Sequence, residues 1–284
     1  MSLNSVITNV NAQVALQSLN ITTSQLAATQ KQISTGYRVA DATDDGAAYA
    51  IAQRVRSDVA GLTSANQQLG NAQGLLDTTL SSLNDVSNTL TTINSTLVKL
   101  ADENVSGAQR TEYASTLGSL VTDVRNYFAD ATYNGKSLVS DLTNSAGTTG
   151  TASSFTTIRN ETGGTFGVTS FSASSFAASL ATLNVSTQTV AQAAITATGV
   201  FQNLVSKLGA KLNYYGSASN YIDSQTSYNS DKIDALNSGL GSLIDANLAQ
   251  ESAQLTALQI RQQLGTQALS IANQSPQSLL SLFK

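Results

Sequence analysis

Stepping along the chain by alternating fours and threes from Val55 meets Val59, Leu62, Asn66, Leu69, Gln73, Leu76, Leu80, Leu83, Ser87, Leu90, Asn94 and Leu97, and nine of these thirteen residues are aliphatic. The positions between them are mostly Ser, Thr, Asn, Asp and Gln, and no proline interrupts. A heptad seam sustained this long specifies one unbroken helix that must be covered along one side. At about 1.5 Å per residue the helix is a rod of roughly 60 Å, too long for the interior of a compact globule. A second seam of the same length starts at Phe201 and runs through Val205, Leu208, Leu212, Tyr215, Ser219, Ile222, Thr226, Asn229, Ile233, Leu236, Leu240 and Leu243. A third, shorter one takes Tyr113, Leu117, Leu120, Val124, Tyr127 and Ala131. The expected fold is therefore mainly α: an elongated antiparallel coiled-coil rod built from the N- and C-terminal halves, with the shorter helix alongside.

Composition narrows the function more by what is missing than by what is present. The 284 residues contain no His and no Cys. Thiol nucleophiles, disulfides, His general bases and Cys/His zinc sites are thereby removed together, so no enzyme activity, cofactor or metal site is expected. Charged residues make up only 11% of the chain, and the net charge of −4 is spread without a basic patch. Nucleic acid and membrane are accordingly poor partners. No stretch has the apolar length of a membrane span, and Met1–Val10 has neither the cationic nor the apolar region of a cleaved secretory signal.

Residues 3–35 read as an amphipathic helix, with Leu3, Ile7, Val10 and Val14 in heptad step and then Leu19, Leu26 and Ile33 at intervals of seven. Gly36 is the expected stop, since glycine takes the left-handed conformation cheaply. Asp44 and Asp45 follow at the start of the long helix, where Thr43 or Asp44 can cap it and acidic side chains suit its dipole. A paired-carboxylate reaction centre is the sharper reading of the two acids, but with no His and no third acid nearby a helix N-terminus is the better one. Asn134–Gly135 signals a turn. From Asp141 to Ser179 the composition shifts to Ser, Thr, Gly and Ala, and Phe155–Arg159 and Phe166–Phe171 flank Glu161–Gly164 as a small β-hairpin. Register within 150–175 stays open at this level. About 40 residues is too few for a second core of their own.

The C-terminal segment carries two apolar stripes. Ile244, Leu248, Leu255, Leu258 and Leu269 form one; Ala257, Ile260, Leu264, Ala268 and Ile271 form the other, with Arg261 between them. Pro276 then precedes the apolar tail Leu279–Leu280–Ser281–Leu282–Phe283. Two stripes are more than one partner helix covers. Apolar area left in water in this way marks assembly. The candidate contacts between copies are Leu3, Ile7, Val10, Val14, Leu255, Leu258, Arg261, Leu264, Ile271, Leu279, Leu280, Leu282 and Phe283.

These residues resemble bacterial flagellin. The N-terminal likeness is carried by Thr8-Asn9-Val10-Asn11, Ile33-Ser34-Thr35-Gly36-Tyr37-Arg38-Val39, Ala42-Thr43-Asp44-Asp45 and Tyr133-Asn134-Gly135-Lys136-Ser137-Leu138. The C-terminal likeness is carried by Ile244-Asp245-Ala246-Asn247-Leu248-Ala249-Gln250-Glu251, Gln262-Gln263-Leu264-Gly265, Ala272-Asn273-Gln274 and Pro276-Gln277. The resemblance implies a self-assembling extracellular subunit of the flagellar filament, exported without a cleaved signal peptide. It implies inner-tube terminal helices at 1–42 and 244–284, a coiled-coil rod at 43–140 and 195–243, and a short surface-facing β/loop region at 141–194, without large outer domains. Besides copies of itself, the implied partners are an export chaperone, the filament cap and hook–filament junction proteins. Thr91, Thr92, Asn94 and Ser95 stand where flagellins sensed by the animal innate receptor carry an Arg-rich face, so weak or absent sensing is expected. The alternatives are a hook–filament junction protein, disfavoured by Gly46-Ala47-Ala48 after the paired acids, and a secreted coiled-coil adhesin, which needs neither terminal motif.

Overall fold

The computed structural model describes residues 8–143, 150–183 and 187–281. Among them the order of elements is α1 (Val10–Thr35), α2 (Gly46–Leu100), α3 (Gly107–Asp130), β1 (Phe155–Ile158), β2 (Thr165–Val168), α4 (Ala173–Ala181), α5 (Gln188–Ile195), α6 (Val200–Ile244) and α7 (Leu248–Ser281). The mainly α fold with one small hairpin is as expected. The chain forms two units, one of residues Met1–Ser57 with Asp234–Lys284 and one of Asp58–Ile233.

In the Asp58–Ile233 unit the long seam is visible in the burial pattern. Leu62, Leu69, Leu76, Leu83, Leu90 and Leu97 are fully buried, each seven residues after the last. The intervening Asn66, Gln73, Leu80, Ser87 and Asn94 are half-buried. On α6, Phe201, Leu208, Tyr215, Ile222 and Asn229 are buried at the same interval. The two seams meet antiparallel, because the Gln73 amide donates to Ser219 Oγ at 2.7 Å and the Asn229 amide to Asn66 Oδ1 at 2.8 Å. Rising numbers on α2 pair with falling numbers on α6.

A second face of α2 is buried too, through Leu75, Thr79, Ser82, Val86, Ile93, Thr96 and Leu100. There the Ser82 hydroxyl donates to the Tyr127 carbonyl of α3 at 2.7 Å. α3 opens with a capping box in which Ser106 and Gln109 satisfy each other's backbone, the arrangement that offsets unpaired amides at a helix start. Its seam departs from the expected one at a single place. Tyr127 is exposed and Phe128 is fully buried, because a helix of 3.6 residues per turn returns to the same face after four residues as readily as after three. Phe128 packs edge-on against Phe176 and tilted against Phe171, with ring centroids 5.5 and 6.1 Å apart.

Asn134 and Gly135 both have positive φ, 48° and 73°, and Tyr133 and Lys136 exchange backbone hydrogen bonds of 2.8 and 2.9 Å across them. This is the tight two-residue turn that Asn-Gly favours. The β1–β2 hairpin is antiparallel with Phe155 opposite Val168 and Ile158 opposite Thr165, which fixes the register. The region read as β and loop also contains α4 and α5. α4 buries Ala173, Phe176, Ala177 and Leu180, a helical i, i+3, i+4, i+7 spacing hidden in a Ser/Ala-rich background. The Asp141 carboxylate holds its start, accepting from the Ser174 amide at 2.6 Å and from the Ser172 hydroxyl at 3.0 Å.

Candidate assembly surface

In the other unit α1 and α7 pack against each other antiparallel. The amide of Asn9 donates to the Ala272 carbonyl at 2.7 Å, while its side-chain oxygen accepts from Ala12 N–H and caps α1. Farther along the pair, a Cβ on Gly265 would lie 3.2 Å from Leu19 Cδ1, so the two helices approach closely there and Leu19 would have to shift to admit a larger residue. At its C-terminus α1 ends on Gly36, whose N–H still donates to the Gln32 carbonyl and whose φ of 73° turns the following chain out of the helix. Tyr37 and Asp245 then form a β-bridge. The amides of Arg38 and Val39 donate to the Ile244 carbonyl, and Ala246 N–H donates to the Gly36 carbonyl. This backbone clasp closes over a small core of Val39, Ala48, Ala52 and Ile244.

The two acids after α1 divide their work. Asp45 accepts from the amides of Ala47 and Ala48, each at 3.0 Å, so it caps α2, one residue later than the Thr43-or-Asp44 reading. Asp44 instead closes the loop, accepting from the amides of Ala40 and Asp41 and from Lys31. Lys31 also pairs with Asp41 at 2.6 Å. Hydrogen bonding to the Lys31 ammonium is the main cause holding both carboxyls below their ordinary range, and the two acids raise Lys31 in turn.

Burial sorts the apolar residues of the two helices, the candidate contacts among them, into two sets. Leu19, Leu26 and Ile33 of α1 are half-buried, as are Leu255 and Leu269 of α7, and Leu258 is only 3% exposed. The first C-terminal stripe is thus largely turned inward, with Leu248 at its start left exposed. The second stripe and the N-terminal half of α1 face out: Val14 is 61% exposed and Ile271 68%, and Val10, Leu16, Ile21, Ile260 and Leu264 are likewise exposed. Arg261 is also exposed, and it lines an open groove with Val14, Ile21 and polar residues of α1. Leu3, Ile7, Leu282 and Phe283 lie outside the described residues, as do the side chains of Leu279 and Leu280. The result is a helix pair with one apolar face satisfied and a second in water. Ile21 belongs to the outward face and was not among the candidates, although it stands seven residues after Val14 in the same step; Leu16, two residues from Val14, is exposed on another side of α1.

The family model described as the bacterial flagellin N-terminal helical region matches residues 6–144, and that of the bacterial flagellin C-terminal helical region matches residues 195–283. The chain belongs to the bacterial flagellin family. It is 34% identical to Flagellin FljK of Caulobacter vibrioides over 284 residues, covering 100% of both chains. Among solved structures, Bacillus cereus flagellin superposes with a TM-score of 0.50 at 18% identity, covering 57% of this chain and 88% of that one. A putative flagellar hook-associated protein from Vibrio parahaemolyticus superposes with a TM-score of 0.56 at 12% identity, covering 71% of this chain and all of that one. At such identities the structural matches speak to fold alone, and they do not separate filament from hook-associated proteins. Full-length sequence identity does, in favour of flagellin. This flagellin is a structural subunit of the bacterial flagellar filament, and the junction-protein and adhesin readings are not favoured. The family is a structural one, and its filament is extracellular. No described helix is long and apolar enough to cross a membrane.

Proposed function

We propose that the outward face of the α1–α7 pair is where neighbouring copies of the chain meet in the filament. The supporting observation is the exposure of Val10, Val14, Leu264 and Ile271 on helices whose other faces are already covered. Apolar groups of this kind gain roughly 1.5–3 kcal/mol each on full burial, and a helical polymer covers them on every subunit. Leu255 and Leu258 support the face from beneath. Arg261 sits at its edge, placed to keep its guanidinium wet or to meet an acid such as Glu251 or Asp245 of a neighbouring copy. Leu3, Ile7, Leu279, Leu280, Leu282 and Phe283 extend the face on the strength of their sequence pattern.

In this reading residues 1–42 and 244–284 form the inner tube, 43–140 and 195–243 the surrounding rod layer, and 141–194 the solvent side. The chain is exported with its N-terminus intact, is held by an export chaperone, and assembles between the junction proteins and the cap. Seeded elongation tests the reading. Purified chain added to short filament fragments should extend them, seen by negative-stain electron microscopy, with helicity rising by circular dichroism. Soluble particles that never elongate would overturn it. N-terminal sequencing of filament protein should begin within the first residues of this chain; a start farther in would refute uncleaved export.

A further inference from the structure

The turn of the β-hairpin does more than connect two strands. A Cβ placed on Gly61 of α2 would sit 3.1 Å from Glu161 Cβ, so the turn lies close on the α2 backbone and a larger residue there would have to push it back by a few tenths of an ångström. From the same turn Glu161 forms an ion pair with Lys232 of α6. The Arg159 carbonyl accepts from the Asn229 amide at 2.9 Å, and the Arg159 guanidinium donates to the Tyr221 hydroxyl at 2.9 Å. Phe166 stacks on the Tyr221 ring at 4.4 Å. Asn229 is fully buried, and its one amide group serves both Asn66 of α2 and the hairpin. Gln225 completes it by donating to Asn229 Oδ1 at 2.9 Å.

We propose that the 159–166 segment is a positioning clamp that fixes the antiparallel register of α2 and α6, with Gly61, Glu161, Asn229 and Lys232 as its working residues. An apolar seam alone tolerates a slip of seven residues, since one buried leucine replaces another. A buried Asn that finds its partners in a single register does not. In the slip that sets Gln73 beside Thr226, Asn229 loses both Asn66 and the Arg159 carbonyl, and Leu236 comes opposite Asn66 and offers neither acceptor a donor. The hairpin makes the penalty steeper, because slipping also parts Glu161 from Lys232. The remaining Glu161 oxygen and Arg159 Nε are buried without a protein partner. The charged or titratable groups around the ion pair are Arg159 on the hairpin, Asp58 on α2 and Tyr228 on α6.

The chain has no native cysteine, so paired cysteines report register directly in the full-length monomer. The pair Gln73→Cys with Ser219→Cys, joined by a short bifunctional thiol reagent because a glutamine reaches farther than a cysteine, reports the observed register, and Gln73→Cys with Thr226→Cys reports a one-heptad slip. A slip reporter stays open in the observed register, because cysteines held apart by about a heptad, some 10 Å along a helix, do not bridge. With the clamp intact only the first pair should close. In Asn229→Leu and Glu161→Gln backgrounds closure of the slip pair should rise about tenfold, and Glu161→Lys with Lys232→Glu should return it to the intact level. A clamp that only added stability would lower the melting temperature without closing the slip pair, and that outcome overturns the proposal. Circular dichroism of each background confirms folding. If Asn229→Leu does not fold, the near-isosteric Glu161→Gln decides, and an unchanged slip pair there refutes the clamp. No filament is needed, so this result stands apart from the assembly surface proposed above.

Discussion

Replacing Ile271 by Asp separates assembly from folding. The side chain is 68% exposed in the isolated chain, so the substitution removes little that the monomer uses. In the filament the remaining two-thirds of its surface would be buried, forgoing about 1–2 kcal/mol of apolar transfer. Burying an unpaired carboxylate adds several kcal/mol more unless it is neutralised. Even a total of about 3 kcal/mol raises the critical concentration for elongation roughly a hundredfold. Ile271→Ser, which forgoes the apolar part alone, should raise it about tenfold. Leu258→Asp is the contrasting case. That residue is 3% exposed, so its substitution should lower the melting temperature of the monomer as well. Sedimentation of seeded mixtures gives the critical concentration, and circular dichroism gives monomer stability. If Ile271→Asp elongates at the wild-type concentration, the outward face of α7 is not a subunit contact and the reasoning fails. If it unfolds the monomer, the burial assignment itself is wrong.

Phe128→Ala should destabilise the chain by about 3–5 kcal/mol, since a fully buried ring contacting two others leaves a cavity that its neighbours cannot refill; thermal or denaturant unfolding measures it. Asp45→Ala should cost about 1 kcal/mol through loss of the α2 cap, with amide exchange accelerating first at Ala47 and Ala48. Acid should loosen the hairpin locally. The Lys232 ammonium beside Glu161 holds its carboxyl below the ordinary 4.5. A depressed folded value means the stabilisation is fully present above 4.5 and is lost as pH falls through the folded value. Protection against hydrogen exchange in 155–168, after correction for the intrinsic slowing of exchange in acid, should therefore fall at low pH in the wild type and show no such step in Glu161→Gln. The measurement must be local, because Asp41 and Asp44 titrate in the same direction elsewhere in the chain.

Much of the architecture was legible because heptad periodicity is a local property. Leu62 to Leu97 and Phe201 to Asn229 announce which side of each helix is covered, and the two C-terminal stripes separate almost cleanly into the inward one with Leu255 and Leu258 and the outward one with Leu264 and Ile271. Turn chemistry was equally plain at Gly36 and Asn134–Gly135, where positive φ is needed. Asp45 rather than Asp44 caps α2 because the cap depends on where the loop enters the helix, and that path is set by Lys31 on another helix. Phe128 displaces Tyr127 from the core because a partner is there for one and not the other. Asn66, Gln73 and Asn229 look in the sequence like defects in apolar seams. Only the folded chain makes them partners, since a buried polar group is satisfied by what lies opposite it, and what lies opposite is more than 140 residues away.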